Sequence, residues 1–147
     1  GEGKAAANGL LLEVRYTGVD GSDVDPKALD HGTDLEAHVN VTNPSKRIYK
    51  ELALTHIMPS GWEIRGGSTG PRALVVGADY QDIRDDRALT YFGLKPDESK
   101  TFTIKLNASY KGRFYLPAVQ VEAMSDNAVQ ARSVGGWVVV VEAGQAS

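Results

Sequence analysis

Between Thr101 and Ala108 the chain alternates without a break. Phe102, Ile104, Leu106 and Ala108 fall on one parity, and Thr101, Thr103, Lys105 and Asn107 on the other. That period is what a β-strand with one buried and one wetted face requires, because successive side chains leave the backbone on opposite sides. It recurs at Leu10, Leu12, Val14 and Tyr16. It recurs again at Leu35, Ala37, Val39 and Val41, with Glu36, His38 and Asn40 between them. Glu51 to Ile57 is more continuously apolar, which predicts a central strand. Further strands are predicted over Ala73 to Val76, Ala88 to Phe92, Gly112 to Met124 and Trp137 to Val141.

The prolines punctuate these runs. Pro26, Pro44, Pro59, Pro71 and Pro96 all fall between strand candidates, where a residue that lacks a ladder donor and presets φ belongs. Pro117 is the exception. The apolar phase runs Phe114, Leu116 before it and Val119, Val121 after it, so the parity flips, and a bulge or an edge is expected there. Amphipathic helices are missing, apart from one turn expected near Asp25 to Leu29 with Asp25 as N-cap. Gly66 to Gly70 reads as a loop. Many short strands separated by turns predict an all-β antiparallel β-sandwich with little helix.

At 147 residues the chain has the size of one domain and enough core to fold without metal or disulfide. Residues 1–8 read as a linker or cloning remnant, 9–143 as a single domain and 144–147 as a tail. A net charge of −3 offers no electrostatic reason to bind nucleic acid. No apolar run is long enough for direct insertion into a membrane. Cysteine is absent, which removes thiol catalysis, thiolate metal sites and internal disulfides.

Candidate chemistry is thin. His31, His38 and His56 lack the paired spacing of zinc ligands. Asp20 to Asp25 is acidic, but its glycine is misplaced for a calcium loop and the distal glutamate is missing. Gly66 to Gly70 has no lysine to cradle a phosphate. Ser60, Ser68 and Ser125 sit in no nucleophile elbow. No catalytic residue, metal or cofactor is therefore expected. Arg84-Asp85-Asp86-Arg87 is the densest charged motif, and it is read as an ordered structural turn held by local ion pairs. Trp62 and Trp137, both in strand contexts, are expected as core or inter-sheet anchors.

Taken in order, PSGWEI (Pro59 to Ile64), YQDIRDDR (Tyr80 to Arg87), TYFGL (Thr90 to Leu94), GRFYLP with the following EAM (Gly112 to Met124) and the closing GGWVVV resemble the C-terminal macroglobulin-like domain of bacterial alpha-2-macroglobulins. The resemblance runs from about Gly9 to Val141. It implies a macroglobulin-like sandwich, akin to fibronectin type III. It also implies a parent that is large, periplasmic or anchored to the inner membrane, and that traps target peptidases. In that family the last domain packs against the thioester-type domain. In thioester-bearing relatives EAM is followed by a tyrosine that leans, with the methionine, over the thioester. Here the pair is Met124 and Ser125, and the departure fits the branch that lacks the thioester and is associated with envelope assembly proteins.

The expected role is thus a non-catalytic terminal domain, with Met124, Ser125 and Asp126 as protein-contact residues. On this reading the chain leaves the sheet at Met124. A free-standing fibronectin-like adhesion or carbohydrate-binding module is the alternative, and it calls for an exposed aromatic platform. A hydrolase or metal enzyme is the third reading, and it calls for convergent polar groups in a pocket.

Overall fold

A computed structural model describes residues 7–66 and 77–144. Thirteen strands occupy these residues: β1 (Ala7–Asn8), β2 (Leu11–Gly18), β3 (Ala28–Asp30), β4 (Asp34–Thr42), β5 (Tyr49–Ile57), β6 (Trp62–Gly66), β7 (Tyr80–Ile83), β8 (Arg87–Leu94), β9 (Ser99–Ala108), β10 (Gly112–Leu116), β11 (Gln120–Ala123), β12 (Asp126–Arg132) and β13 (Gly136–Val141). No described residue is helical. The strand expected over residues 73–76 lies outside the described residues, as does the expected glycine loop beyond Gly66.

The alternating runs become the middle of the sandwich. β4 pairs antiparallel with β2 on one side and β9 on the other, Val39 opposite both Val14 and Phe102. This four-stranded sheet, in the order β2-β4-β9-β6, faces a six-stranded sheet ordered β1-β12-β11-β5-β8-β7. Phe92 of β8 meets Phe102 of β9 edge-on across the core, with centroids 4.8 Å apart. A third sheet, β10-β13-β3, contributes Leu29, Val138 and Val140 to the same core. Its β13–β3 pair is parallel, whereas the other strand pairs among the described residues are antiparallel.

Four expectations need correction. Gly112 to Met124 is not one strand: β10 belongs to the three-stranded sheet and β11 to the six-stranded one, with residues 117–119 crossing between them. The parity flip at Pro117 therefore marks a change of sheet, and Val119 is pinned after it by Ser133 Oγ, which accepts its N–H at 2.7 Å. The chain does not leave the sheet at Met124 but folds back as β12, with Ala123 opposite Asp126. Near Asp25 there is no helical turn. The Asp25 carboxylate accepts the N–H of Lys27 at 2.9 Å, an Asx turn that feeds β3. Trp137 is no core anchor, since it stands 54% exposed.

Trp62 is buried as expected and packs edge-on against Tyr16 at 5.8 Å. The turn before it has room only for glycine: a Cβ on Gly61 would sit 2.2 Å from the Phe114 ring. That contact ties β10 to the β5–β6 turn, which also accepts the N–H groups of Ser109 and Tyr110 at the Gly61 carbonyl, both at 3.0 Å.

Candidate functional site

The three histidines do not converge. His31 Nε2 lies 2.9 Å from the Ser109 carbonyl. His38, on the wetted face of β4, bridges Thr17 and Thr103 at 2.7 and 2.9 Å. Partial burial, with the Arg15 charge nearby, holds its pKa below the ordinary histidine value against the opposing pull of Glu36. His56 points into the core, and neither ring nitrogen has a hydrogen-bond partner among the described residues. Burial alone lowers its pKa to about 4. No group of three or more His, Asp or Glu side chains among the described residues is placed to hold a metal ion. In the acidic loop, Asp20 accepts both the N–H and the hydroxyl of Ser22, at 3.0 and 2.7 Å. Those bonds hold its carboxyl below the usual range.

Arg84-Asp85-Asp86-Arg87 forms the β7–β8 turn. The backbone does the holding: Arg84 N–H donates to the Arg87 carbonyl and Met58 N–H to the Asp86 carbonyl, each at 2.8 Å. Arg87 grips Asp86 with two N–H donors at 3.0 and 3.1 Å, and this bidentate bond is the chief reason the Asp86 carboxyl is held low. That pair is exposed. The interaction with structural weight is one the sequence motif did not include: Arg84 reaches back to Asp82 at 2.9 Å, and Asp82 is largely buried. Replacing Arg84 by Ala strips a buried carboxylate of its partner and should cost about 1 kcal/mol. Asp85 is exposed, no described residue bonds its carboxylate, and its Ala variant should stay within about 0.5 kcal/mol of the parent. Urea titration of the two variants checks the difference.

Met124 and Ser125 form the tip of the β11–β12 hairpin. Register places this tip against the start of β5, with Ala123 opposite Leu52 and Met124 N–H bonded to the Glu51 carbonyl at 2.8 Å. Asp126 opens β12, and its carboxylate accepts the Ala128 N–H at 3.0 Å. Met124 is 61% exposed, and Ile48 across the tip is exposed as well. Beside the tip lies a groove of about 210 Å³ whose lining includes Ile48, Tyr49, Ala123, Ser125, Asp126 and Val129, but not Met124 itself. An exposed, unbranched and polarizable methionine at a hairpin tip is the kind of side chain that adaptable contact surfaces use. Of the contact residues read from the sequence, Met124, Ser125 and Asp126 stand together here. Ile48 and Tyr49 were missed, because only sheet register brings them to the hairpin.

The comparisons fit this architecture. The family model of the bacterial alpha-2-macroglobulin MG10 domain matches residues 9–127. The chain is 30% identical over 162 aligned residues to an alpha-2-macroglobulin homolog of Yersinia pestis, covering 93% of this chain and 8% of that protein. Among solved structures, Salmonella alpha-2-macroglobulin reacted with methylamine superposes with a TM-score of 0.80 at 20% identity, over 96% of this chain and 10% of that one. Escherichia coli alpha-2-macroglobulin activated by porcine elastase superposes with a TM-score of 0.79 at 18% identity, over 92% of this chain and 13% of that one. The fold and its exposed hairpin define a macroglobulin-like β-sandwich module. The chain belongs to the bacterial alpha-2-macroglobulin MG10 domain family, and it spans about 8% of the length of the curated relative.

Proposed function

We propose that this chain is a non-catalytic terminal domain of a larger alpha-2-macroglobulin-like periplasmic protein, and that it works by packing against the thioester-type domain of the same polypeptide. The observation that carries the reading is the Met124–Ser125 hairpin tip. It presents a bare apolar side chain at the position where the family resemblance puts interdomain contact. Ser125 lacks the flat ring that a covering tyrosine supplies, so the reading extends to a parent of the branch without a thioester, trapping peptidases by rearrangement of its body. One structural relative has been solved after activation by porcine elastase, which supports a parent concerned with peptidases. In this reading the domain itself inhibits no peptidase.

The test separates contact from core. Met124→Asp should leave the stability of the isolated chain within about 0.5 kcal/mol of the parent, as exposed substitutions do. In the full-length protein the same change should loosen the domain, read as faster limited proteolysis at its boundaries. An isolated Met124→Asp chain that unfolds would make the residue part of the core and sink the proposal, as would a full-length variant digested at the unaltered rate.

A further inference from the structure

The outward face of the three-stranded sheet is apolar where solvent should be met. Register sets Tyr115 opposite Trp137, and Arg113 opposite Val139, which in turn faces Ala28. Val138 and Val140 turn inward to the core, so strand alternation sends Trp137, Val139 and Val141 outward. Tyr115 and Trp137 meet edge-on at 5.4 Å, each about half exposed. The Arg113 guanidinium lies 4.2 Å from the Trp137 ring centre. Beside the ring runs a cleft of about 320 Å³ whose walls include Pro26, Lys27, Pro117 and Val134, and Val134 is 91% exposed. The Met124 groove shares no residue with this cleft.

We infer that this platform is a second interdomain docking face, occupied by a segment of another domain of the same polypeptide that brings an apolar side chain to Trp137 and a carboxylate to Arg113. The inference rests on reading the chain as part of a longer polypeptide, in keeping with its 8% share of the Yersinia relative. Tryptophan, tyrosine and arginine are the residues that anchor protein interfaces: the two aromatics offer large area at small entropic cost together with a polar handle, and arginine a planar fork of donors. The charge pattern names the occupant's sign. Among the described residues neither Arg113 nor Lys27 has a carboxylate within ion-pair distance, whereas the neighbouring Lys111 is already paired with Glu142 at 3.1 Å. Stacking on Trp137 orders the Arg113 fork while leaving its outer N–H groups free to grip a carboxylate bidentately. An exposed aromatic pair is also what the carbohydrate-binding alternative calls for, so a glycan is the competing occupant that the test has to separate.

Hydroxyl-radical footprinting of the full-length protein against the 147-residue chain tests this. Oxidation of Trp137 and Tyr115 should fall about tenfold in the full-length protein, the population change that roughly 1.4 kcal/mol of docking produces. Arg113→Glu, a change at an exposed position, should restore most of the oxidation in the full-length protein and leave the melting of the 147-residue chain unaltered. Equal oxidation in both proteins overturns the inference. Protection of the short chain that grows with its own concentration also overturns it, in favour of a second copy, and protection that appears only with added oligosaccharide does so in favour of a glycan. Met124 oxidation in the same digests reports the hairpin contact separately, so failure at one face is distinguishable from failure at the other.

Discussion

Acid should weaken this domain well before its carboxylates are protonated, and His56 should be the reason. The ring lies fully within the core on β5, and burial lowers its pKa from 6.5 to about 4. The unfolded chain therefore binds a proton between those values that the folded chain refuses, and stability rises with pH wherever the unfolded state binds more protons. The contribution is fully present above pH 6.5 and is lost progressively as pH falls toward about 4. The gap corresponds to roughly 3 kcal/mol, a large part of the total for a domain of this size. Replacing His56 by Leu removes the titrating group while keeping the site filled. Chemical denaturation at pH 7 and pH 4 should show the parent losing about 3 kcal/mol more than His56→Leu across that range. Equal losses in the two proteins would mean that the imidazole is protonated as readily inside as outside.

The sequence displayed the sandwich clearly wherever one face is wet. In β2, β4 and β9 each buried apolar residue is followed by a polar or exposed one, so the period alone assigns strand and face. It failed where every position is apolar or every residue is small. Trp137-Val138-Val139-Val140-Val141 carries no parity signal, so the outward Trp137 could not be told from an anchor until Val138 and Val140 were seen to fill the core. β12 was missed because its inward residues are only Val129 and Ala131, and because Asp126-Asn127 have the chemistry of a turn. At Pro117 the flip of parity was visible, but a change of sheet and a bulge flip parity alike, and only the tertiary pairing decides between them.

The candidate site divides the same way. An exposed Met124 at a turn is a local fact, readable from an apolar residue followed by turn formers, whereas the return of the chain as β12 was not read. The groove beside it is not local, since Ile48 and Tyr49 reach Ser125 through the pairing of β5 with β11. The ion pair that matters in the charged turn runs from Arg84 back to Asp82. A motif read as four contiguous charges hides it, because Asp82 belongs to a strand and its burial is set by the neighbouring sheet residues.

Asn43 is where a single substitution should loosen both the fold and the hairpin groove. It follows β4 directly and is completely buried. Its side-chain N–H groups donate to the carbonyls of Arg47 and Leu94 at 2.7 and 3.3 Å, and its side-chain oxygen accepts from Ser45 N–H and Oγ at 2.9 and 2.6 Å. Its backbone exchanges bonds with Asp97 and Glu98, at 2.8 and 3.0 Å, so one residue fastens the 43–47 loop to the β8–β9 turn. Asn43→Ala deletes both sides of that side-chain exchange and strands the Leu94 carbonyl, whose bond is buried, at a cost of roughly 1–3 kcal/mol, while the Arg47 carbonyl lies nearer the solvent. The Ser45 groups, nearer the surface, recover part of the loss through solvent. The expected net loss is about 3 kcal/mol, equivalent to a drop in Tm of roughly 10 °C for a chain of this length. Ser45→Ala, which removes only the outer end of the exchange, should lose about 1 kcal/mol. Because Arg47 to Glu51 line the groove under the Met124 hairpin, Asn43→Ala should also raise amide exchange across those residues before the rest of the sheet opens. A Tm within two or three degrees of the parent, with unaltered exchange at Arg47 to Glu51, would show that the loop is held by its backbone bonds alone.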